Sequence, residues 1–438
     1  MNKQRLLDDC QAVLLDNNRG SHTIPAQGLY PHQWLWDSCF IAIGLRHFDI
    51  DAAKREIFSL LKGQWTNGMI PHMIFAPSDA YQQDRNIWRS WLNPNAPDHL
   101  STSGITQPPM VAEAVVRIGR KLPTAERHSW YKQVYPALAR YHLWLATERI
   151  PTGDGLCVLL HPYECGLDNT PAWVHYIRSQ HMPWWTTTIE RLHIDWLVNL
   201  FRRDTKHTPP GQRISNTDAL LNYVWVRRLR RCHFDTPTAL KRKGLALQDI
   251  AFNSIFIRAN QHLADIAADI QQELPQELAA YNDHAAAALD SLWDEYATRY
   301  YARDFHTQQA IKQPSIQTLM PLYSRSITPQ RAEQLVRLIE DEQLFGSPYP
   351  VPSVPLNSPC YKPHSYWQGP TWVNTNWLII DGLRHYGFHD HAALLRDITI
   401  ELVERSGAYE YFSPQDGTPA GAHNFSWTAA LTIDLLQH

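Results

Sequence analysis

The chain has no apolar run long enough to cross a membrane. Nowhere in its 438 residues do the roughly 18 consecutive apolar side chains of a spanning helix occur. The first 17 residues mix Lys3, Arg5, Asp8 and Asp9 with leucines, so they lack the continuous apolar core of a signal peptide. We therefore expect a soluble, cytoplasmic protein without a membrane partner.

The sequence has little that could hold a metal or a cofactor. Its six cysteines include no Cys-x-x-Cys pair, which argues against a zinc ribbon or a thioredoxin-type motif, and we interpret all six as reduced thiols. His-Glu-x-x-His, Gly-x-Ser-x-Gly and phosphate-loop motifs are missing, and the 22 histidines show no paired ligand spacing. We expect no bound metal and no cofactor.

An excess of charge of one sign is also missing. The 40 basic and 43 acidic side chains give a formal net charge of −3, whereas proteins that bind nucleic acids need a basic surface. Two short basic runs, 227–231 and 241–243, are interpreted as solvated helix faces rather than as an anion site. We therefore expect no nucleic-acid partner.

Aromatic side chains, in contrast, are abundant. The chain contains 17 tryptophans and 19 tyrosines. Flat rings of this kind cover the apolar faces of sugars, so the composition is typical of a carbohydrate-binding protein. A large aromatic core would use the same residues, and the counts alone do not decide between the two.

Apolar residues recur with the helical period through most of the chain. The segments with one apolar face are 5–17, 37–48, 52–63, 111–120, 131–148, 187–203, 217–230, 245–268, 276–297, 328–341, 374–386, 392–405 and 426–436. Alternating βαβ patterns are missing. The pattern predicts an all-α fold in which six inner and six outer helices form a toroid, an (α/α)6 barrel, and we treat residues 1–438 as one domain.

Long connections interrupt this helical pattern. They span 65–103, 151–183, 303–326 and 344–371, and they are rich in Trp, Tyr, His, Pro and Asn. Long loops without structure of their own are usually functional. We expect these loops to build a site at one end of the helical scaffold.

One carboxylate follows a group of aromatic residues near the N-terminus. Asp37 comes directly after Tyr30, Trp34 and Trp36. A carboxylate beside two indoles can grip a hexose, because the carboxylate accepts from hydroxyl groups while the indole covers the ring face. The alternative is that Asp37 caps a helix.

Two loop residues are further candidates for contact with a substrate. His72 follows an Asn-Gly turn signal in NGMIPH (67–72), and Gln107 lies in TSGITQPP (102–109). The two-headed amide of Gln107 suits vicinal hydroxyl groups. An ordinary loop histidine and an ordinary turn remain the alternatives.

Two further acids stand where a pair of catalytic carboxyl groups is expected. Asp168 lies four residues after Glu164 in a Gly-containing loop that leads to Trp173, and a carboxyl group held among aromatic rings can keep its proton and act as a general acid. Glu410 lies among aromatic residues just before a turn and could face Asp168. The alternatives are an Asx cap for Asp168 and an ordinary surface acid for Glu410.

A third aromatic group lies in the 366–376 stretch. A Gly-Pro turn and the following helix could place Tyr366, Trp367 and Trp372 around a pocket. Packing of these rings in the core is the alternative.

Taken together, these stretches resemble glycoside hydrolase family 63, and within it the short bacterial mannosylglycerate and glucosylglycerate hydrolases. The resemblance runs in consistent order from Gly28 to the C-terminus. It rests on GLYPHQWLWDS (28–38), NGMIPH (67–72), TSGITQPP (102–109), ECGLDNTPAW (164–173), LQDIAFNSIFIRAN (247–260), YWQGPTWVNTNW (366–377), YEYFSPQDG (409–417) and FSWTAAL (425–431). It implies an (α/α)6 barrel and a hydrolase that inverts the anomeric centre.

The resemblance also implies roles for individual residues. Asp168 would be the general acid and Glu410 the general base, with their carboxyl groups roughly 6.5–9.5 Å apart, as inversion requires. The residues implied to line the sugar site are Tyr30, Trp34, Trp36, Asp37, His72, Gln107, Trp173, Tyr366, Trp367 and Trp372.

Two departures from the family pattern concern the aglycone. The family's YWRGP appears here with Gln368, and the segment after the acid, 178–185, reads RSQHMPWW without the arginine that suits a glycerate carboxylate. Arg178, His181 or Arg191 could replace it, or the substrate could be a neutral glucoside. We therefore expect a less basic aglycone side than in glycerate-acting relatives.

Three functions follow from these observations. The first is an inverting, exo-acting α-glycosidase for a small α-glucoside or α-mannoside, such as glucosylglycerate, mannosylglycerate or the neutral glucosylglycerol. The alternatives are a non-hydrolytic sugar epimerase or isomerase, which would use histidines as its acid and base, and a sugar-binding protein, which would tolerate loss of either carboxylate. The partner is then a small α-glycoside, and a homo-oligomer is left open.

Overall fold

The structure is a computed structural model that describes residues 3–191, 195–200, 202 and 204–437. The helices in this part of the chain are α1 (Lys3–Asp16), α2 (Leu35–Leu45), α3 (Ile50–Leu61), α4 (Gln82–Trp88), α5 (Val111–Gly119), α6 (Thr124–Glu148), α7 (Pro171–Ser179), α8 (Trp184–Arg191), α9 (Asp204–His207), α10 (Asn216–Arg231), α11 (Thr236–Lys241), α12 (Ile250–Asp269), α13 (Gln276–Asp290), α14 (Pro321–Ser324), α15 (Pro329–Glu340), α16 (Val373–His385), α17 (His389–Ser406) and α18 (Ser426–Leu436). The predicted helical fold class is confirmed.

The strands in the described residues are short. They are β1 (Gln33–Trp34), β2 (Met73–Ile74), β3 (Val158–Leu159), β4 (Leu247–Gln248), β5 (Trp293–Asp294), β6 (Arg299–Tyr300), β7 (Ala302–Asp304), β8 (Ala310–Ile311), β9 (Tyr411–Phe412) and β10 (Pro419–Ala420). β3, β4, β7 and β8 form one antiparallel sheet in that order, and β1–β2, β5–β6 and β9–β10 pair in twos.

Six helices form a ring at the centre of the molecule. α2 packs against α5, α5 against α12, α12 against α14, α14 against α16, α16 against α18, and α18 returns to α2. Every residue of α2 and of α18 is buried, as is expected of a helix that is apolar all round. The amphipathic helices α1, α3, α6, α13 and α17 pack outside the ring.

α2 runs from one end of the ring to the other. Asp37, in the first turn of α2, lies close enough to Asp168 and Glu410 for their charges to interact. Nine residues later, about 14 Å along the helix, Arg46 caps the end of α2 and pairs with Asp434 near the end of α18. We call the end near Asp37 the site end and the end near Arg46 the far end.

An ionic network fills the far end of the ring. Asp434 accepts from Arg46 at 2.6 Å and from the indole N–H of Trp377, in α16, at 2.8 Å. Glu113 in α5 accepts from the hydroxyl of Tyr323, in α14, at 2.8 Å, and its Oε2 lies 2.5 Å from Nε2 of His262 in α12. Each of the six ring helices, or the residue that caps it, thus contributes to this network.

Some predicted helix boundaries are wrong, and the reasons are local. The segment predicted as 245–268 becomes helical only at Ile250, because Leu247–Gln248 pairs with β3 and the Asp249 carboxylate caps the helix by accepting from Phe252 N. The segment predicted as 276–297 ends at Asp290, before β5. Of the segment predicted as 187–203, α8 covers the start and 195–200 forms a 3₁₀ turn, while 192–194, 201 and 203 lie outside the described residues.

The predicted long loops carry short elements of their own. The 65–103 loop contains β2 and α4, and the 151–183 loop contains β3 and α7. Both run past the site end, where β2 pairs with β1 just before α2. Among the described residues, no helix combines the length and the apolar character needed to cross a bilayer.

Candidate functional site

The site end of the ring opens into a cavity of about 750 Å³, a size typical of small-molecule sites. Its walls come from the segment before α2, the loop around β2, α4, the 163–168 loop and the stretch from α8 to α10. The polar and aromatic side chains that line it include Tyr30, Trp34, His72, Gln83, Trp88, Tyr163, Asp168, Arg202, Asp204, Arg213, Tyr223 and Tyr366.

Glu410 lies behind the wall of this cavity, with only 1% of its surface exposed. Nη1 of Arg213 donates to both of its carboxylate oxygens at 3.0 Å. The hydroxyl of Tyr30 donates to Oε1 at 2.7 Å, and the backbone N–H of Ala422 donates to Oε2 at 2.9 Å. Because every one of these partners is a donor, Glu410 is held as an acceptor at both oxygens.

The β9–β10 hairpin places Glu410. Glu410 directly precedes β9, and the chain returns through β10 to Ala422, whose N–H contacts the carboxylate. The intervening Gly421 has φ of +76°, and a Cβ there would lie 2.5 Å from Oε2 of Glu410. The turn therefore requires glycine, because both the backbone conformation and the close approach exclude a side chain.

Asp168 lies on the cavity wall and is half-buried. The hydroxyl of Tyr366 donates to its Oδ2 at 3.2 Å. Burial raises the pKa of Asp168 to about 7, and the nearby charge of Glu410 adds to this rise. Because this pKa is close to neutral pH, a substantial fraction of Asp168 keeps its proton there.

The loop that carries Asp168 is supported by the indole of Trp36. Gly166 has φ of +74°, and a Cβ there would lie 2.6 Å from the Trp36 ring. The loop can therefore approach the ring only because residue 166 is glycine. Tyr366, which contacts Asp168 from the other side, also has a positive φ, of 43°, an uncommon conformation for a residue with a side chain.

Asp37 is a third carboxyl group near the other two. It is buried in the first turn of α2. Burial raises the pKa of Asp37 well above its usual range, and the charges of Glu410 and Asp168 raise it further. Among the described residues, no other side chain donates a hydrogen bond to its carboxyl group.

The predicted site residues divide into two groups. Tyr30, Trp34, His72, Asp168 and Tyr366 line the cavity. The others lie in the layer beneath it, and for them contact with a substrate stays a prediction: Trp36, Asp37, Gln107, Trp173, Trp367, Trp372 and Glu410.

The buried tryptophans of the second group have partners within the protein. Trp367 stacks on Trp372 with ring centres 3.7 Å apart, and Trp372 Nε1 donates to the backbone oxygen of Tyr366 at 3.2 Å. Trp173 is completely buried and donates to Asp249 at 3.3 Å. In this structure these indoles support the residues around the cavity.

Two polar residues of the prediction also have internal partners. Oε1 of Gln107 accepts from the backbone N–H of Trp36 at 3.4 Å. His72 faces the cavity, its Nδ1 lies 3.1 Å from Oγ of Ser103, and its ring stacks on Tyr163. Burial lowers the pKa of His72 to about 3, so its imidazole is neutral at neutral pH.

Sequence reasoning missed the arginines of the cavity. Arg202 and Arg213 line it, and both lie in a stretch without a recognisable motif. The contact between Arg213 and Glu410 joins residues 197 positions apart. No local pattern signals a contact at such a distance in the sequence.

We based the expectation of a less basic aglycone side on Gln368 and on the segment 178–185. Gln368, Arg178 and His181 do not line the cavity. Gln368 donates to the backbone oxygen of Asn169 at 3.3 Å. Arg178 pairs with Asp218 at 2.8 Å and, with His181, lines a neighbouring groove. Arg202 and Arg213 are basic residues that do line the cavity, and the expectation of a less basic aglycone side than in relatives stays a prediction.

The described residues contain no cluster of three or more His, Cys, Asp or Glu side chains arranged to hold a metal ion. The six cysteines are free thiols, and five of them are buried. The groups that line the described cavity include the Asp168 carboxyl group, two arginines and tyrosine hydroxyls.

Comparisons with known proteins identify the family of the chain. Residues 30–428 match the family model described as "Mannosylglycerate hydrolase MGH1-like glycoside hydrolase domain". The mannosylglycerate hydrolase of Thermus thermophilus is 35% identical over 426 residues, which cover 96% of this chain and 98% of that protein. The glucosylglycerate hydrolase of Mycolicibacterium hassiacum is 30% identical over 442 residues, covering 97% of this chain and 96% of that protein.

A solved structure shares the fold over nearly the whole chain. It is the family 63 mannosylglycerate hydrolase of Thermus thermophilus in complex with Tris and D-glycerate, at 33% identity and a TM-score of 0.87. The match covers 98% of this chain and 99% of that one.

Proposed function

The chain belongs to glycoside hydrolase family 63, and from this premise we propose that it hydrolyses a small α-glycoside with inversion at the anomeric carbon. Asp168 is the general acid and Glu410 is the general base. The observation that carries the assignment is the difference between the two carboxyl groups: Asp168 has a raised pKa on the cavity wall, whereas Glu410 accepts from a guanidinium, a phenol and a backbone N–H.

The reaction needs one group that donates a proton and one group that accepts a proton. Asp168 donates its proton to the glycosidic oxygen as the bond to the aglycone breaks. Glu410 takes a proton from a water molecule that attacks the anomeric carbon from the opposite face of the sugar. The products are the free hexose, with inverted configuration, and the aglycone alcohol.

The sugar ring is proposed to lie between these two carboxyl groups. Asp37 and Gln107 would accept from and donate to its hydroxyl groups, and the rings of Trp34 and Trp36 would cover its apolar face. Asp37 supports this role because its carboxyl group is close to both catalytic groups and has no side-chain donor among the described residues.

The aglycone is proposed to be anionic and glycerate-like. Arg202 lines the cavity beside Asp204, and guanidinium groups suit carboxylates. Relatives named as mannosylglycerate and glucosylglycerate hydrolases support the same choice. The neutral analogue glucosylglycerol is the competing substrate.

A non-hydrolytic epimerase or isomerase on the same scaffold has less support. That chemistry would use histidines that exchange protons near neutral pH. His72, which faces the cavity, has a pKa lowered to about 3 by burial, so it cannot serve as an acid at neutral pH. The carboxyl groups are the better proton donors and acceptors.

Three broader features belong to the same proposal. The closed ring of six helices with amphipathic helices outside it supports an (α/α)6 barrel. A single catalytic domain over residues 1–438 is consistent with the family match to 30–428. A cytoplasmic location and a homo-oligomer stay predictions.

The direct test is a substrate panel followed by product stereochemistry. The purified protein is incubated with glucosylglycerate, mannosylglycerate and glucosylglycerol, and the free hexose is measured. We expect the highest kcat/KM for one of the two glycerate compounds, and the β-anomer as the first product in proton NMR. A first-formed α-anomer would overturn inversion, and a preference for glucosylglycerol would overturn the anionic aglycone.

A further inference from the structure

Arg213 lies between the proposed base and the cavity. Its Nη1 contacts both oxygens of Glu410, and its Nη2 donates to the hydroxyl of Tyr30 at 2.6 Å. Its guanidinium carbon lies 4.3 Å from the ring centre of Tyr366, the residue that donates to Asp168. The cation is therefore in contact with the base and next to the ring that holds the acid.

This position separates Glu410 from the cavity. An inverting hydrolase needs a water molecule between its base and the anomeric carbon. Arg213 and Tyr30 line the cavity, whereas Glu410 lies behind them with 1% of its surface exposed. Glu410 can contact a water molecule next to the sugar only after the guanidinium has moved.

A second position for Arg213 already exists at the cavity wall. The Asp204 carboxylate lies 3.5 Å from Nε of Arg213, and this nitrogen is buried without a hydrogen bond among the described residues. Arg202 already donates to both oxygens of Asp204, so a rotation of Arg213 toward Asp204 would make this carboxylate a partner of both arginines. Arg213 would keep a carboxylate partner, and Glu410 would keep the Tyr30 hydroxyl and the Ala422 N–H as donors.

We propose that Arg213 is a latch that covers Glu410 in the empty enzyme and moves to Asp204 when a sugar binds. The inference rests on the proposed function, in which Glu410 is the base. Part of the free energy of sugar binding is then used to move the Arg213 side chain away from Glu410. An empty site keeps its base covered, and a filled site exposes it.

Calorimetric titration with the hexose product tests the latch without turnover. Wild type, Arg213→Gln and Asp204→Asn are titrated with glucose and with mannose at the same pH and salt concentration. Arg213→Gln should tighten hexose binding about tenfold, the factor expected for loss of a competing charge-assisted hydrogen bond. Asp204→Asn, which removes the second partner of Arg213, should weaken hexose binding about tenfold.

Two further variants separate a latch from a structural role. In the double variant Arg213→Gln/Asp204→Asn, the Asp204 substitution should no longer weaken hexose binding, because Arg213 is missing. Arg202→Gln, which removes the other partner of Asp204, controls for the loss of that pair. Arg213→Lys, which keeps the charge but loses the bidentate geometry, should bind hexose with an affinity between those of wild type and Arg213→Gln. If Arg213→Gln binds hexose as wild type does, or more weakly, the latch is wrong.

Arg178→Gln is the matched control. Arg178 also forms an arginine–carboxylate pair, with Asp218, but it lines the neighbouring groove, so its removal should leave hexose binding unchanged. Hydrolysis by Glu410→Gln tests the proposed function separately. An active Glu410→Gln would refute the base assignment, whereas an inactive Glu410→Gln together with weaker hexose binding by Arg213→Gln would refute the latch alone.

Discussion

The acidic side chains near the two ends of the helix ring differ in their pairing, apart from Asp204, which pairs with Arg202 at the site end. At the far end, Glu113, Asp381 and Asp434 are each bonded to an arginine. At the site end, the single cation in contact with Glu410 is Arg213 among the described residues, and Asp168 and Asp37 have no such partner.

The pKa values of the acids follow this difference. Although burial opposes it, the charges of His262 and Arg117 hold the pKa of Glu113 well below its usual range. At the site end, burial raises the pKa of Asp168 and of Asp37. A paired carboxylate stabilises the fold, whereas a buried carboxyl group without a cation can keep a proton for catalysis at the cost of stability.

The largest effect is expected from removal of the base. Glu410→Gln keeps the size of the side chain but cannot accept a proton from water, so kcat should fall by roughly 10²- to 10⁴-fold. Steady-state kinetics on the best substrate of the panel measures this loss. Partial recovery of turnover with azide, which can replace the attacking water, would support the assignment, and wild-type activity would exclude it.

Removal of the acid should cost less on activated substrates. Asp168→Asn lacks the proton donor, so kcat should fall by roughly 10²- to 10⁴-fold on a poor leaving group such as glycerate. The loss should be much smaller on 4-nitrophenyl α-glucoside, whose leaving group needs no protonation. Equal losses on both substrates would show that Asp168 does not donate the proton.

A substitution at the far end should lower the free energy of unfolding and leave catalysis unchanged. Asp434→Asn leaves Arg46 buried without its carboxylate partner, and we expect the free energy of unfolding to fall by about 3 kcal/mol. Urea unfolding measures the change, and kcat per folded molecule should stay that of wild type. An unchanged stability would show that the far-end network is not a source of stability.

Asp37→Asn should give the opposite response at the site end. Because the pKa of Asp37 is raised in the folded protein, its charge opposes folding at any pH above its pKa in the unfolded chain. The substitution should therefore stabilise the protein by about 1 kcal/mol at pH 7, and this gain should disappear as the pH falls below about 4. KM should rise, because a hydroxyl acceptor of the sugar site is lost.

Stability curves at pH 7 and at low pH, combined with kinetics, test this prediction. Asp434→Asn serves as the control, because the two substitutions are chemically identical. A loss of stability in Asp37→Asn at pH 7 would contradict the contrast between the two ends.

The smallest effect is expected outside both ends. Arg178, whose side chain is 51% exposed, pairs with Asp218, and such a pair contributes about 0–1 kcal/mol. Arg178→Gln should leave the ratio of kcat/KM for glucosylglycerate and glucosylglycerol unchanged. A loss of kcat/KM for glucosylglycerate alone would show that Arg178 contributes to the aglycone site.

The aromatic part of the site was predictable because its residues are close in sequence. Tyr30, Trp34 and Asp37 stand within eight positions of one another, so their shared environment follows from one turn and one helix start. The ring helices α2 and α18 were predictable as well, since they are apolar all round, whereas α14 lies in the segment 303–326 that was expected to be a loop. The start of the predicted segment 328–341 is confirmed, because the Thr328 hydroxyl caps α15 by accepting from Arg331 N.

The charged contacts were not predictable, because they join distant parts of the chain. Arg213 meets Glu410 across 197 positions and Arg46 meets Asp434 across 388. In the sequence each of these arginines is indistinguishable from one on a solvated helix face. The same limit explains the two-residue strands, whose pairing depends on the tertiary fold and not on a local pattern.

The dependence of kcat/KM on pH tests the central contrast most directly. If Asp168 is the acid and burial holds its pKa near 7, activity should fall as the pH rises through about 7, because the proton that the reaction needs is lost. In Asp168→Asn the residual activity should lack this fall. A fall near pH 7 that persists in Asp168→Asn, or a wild-type activity that stays constant up to about pH 9, would contradict the account.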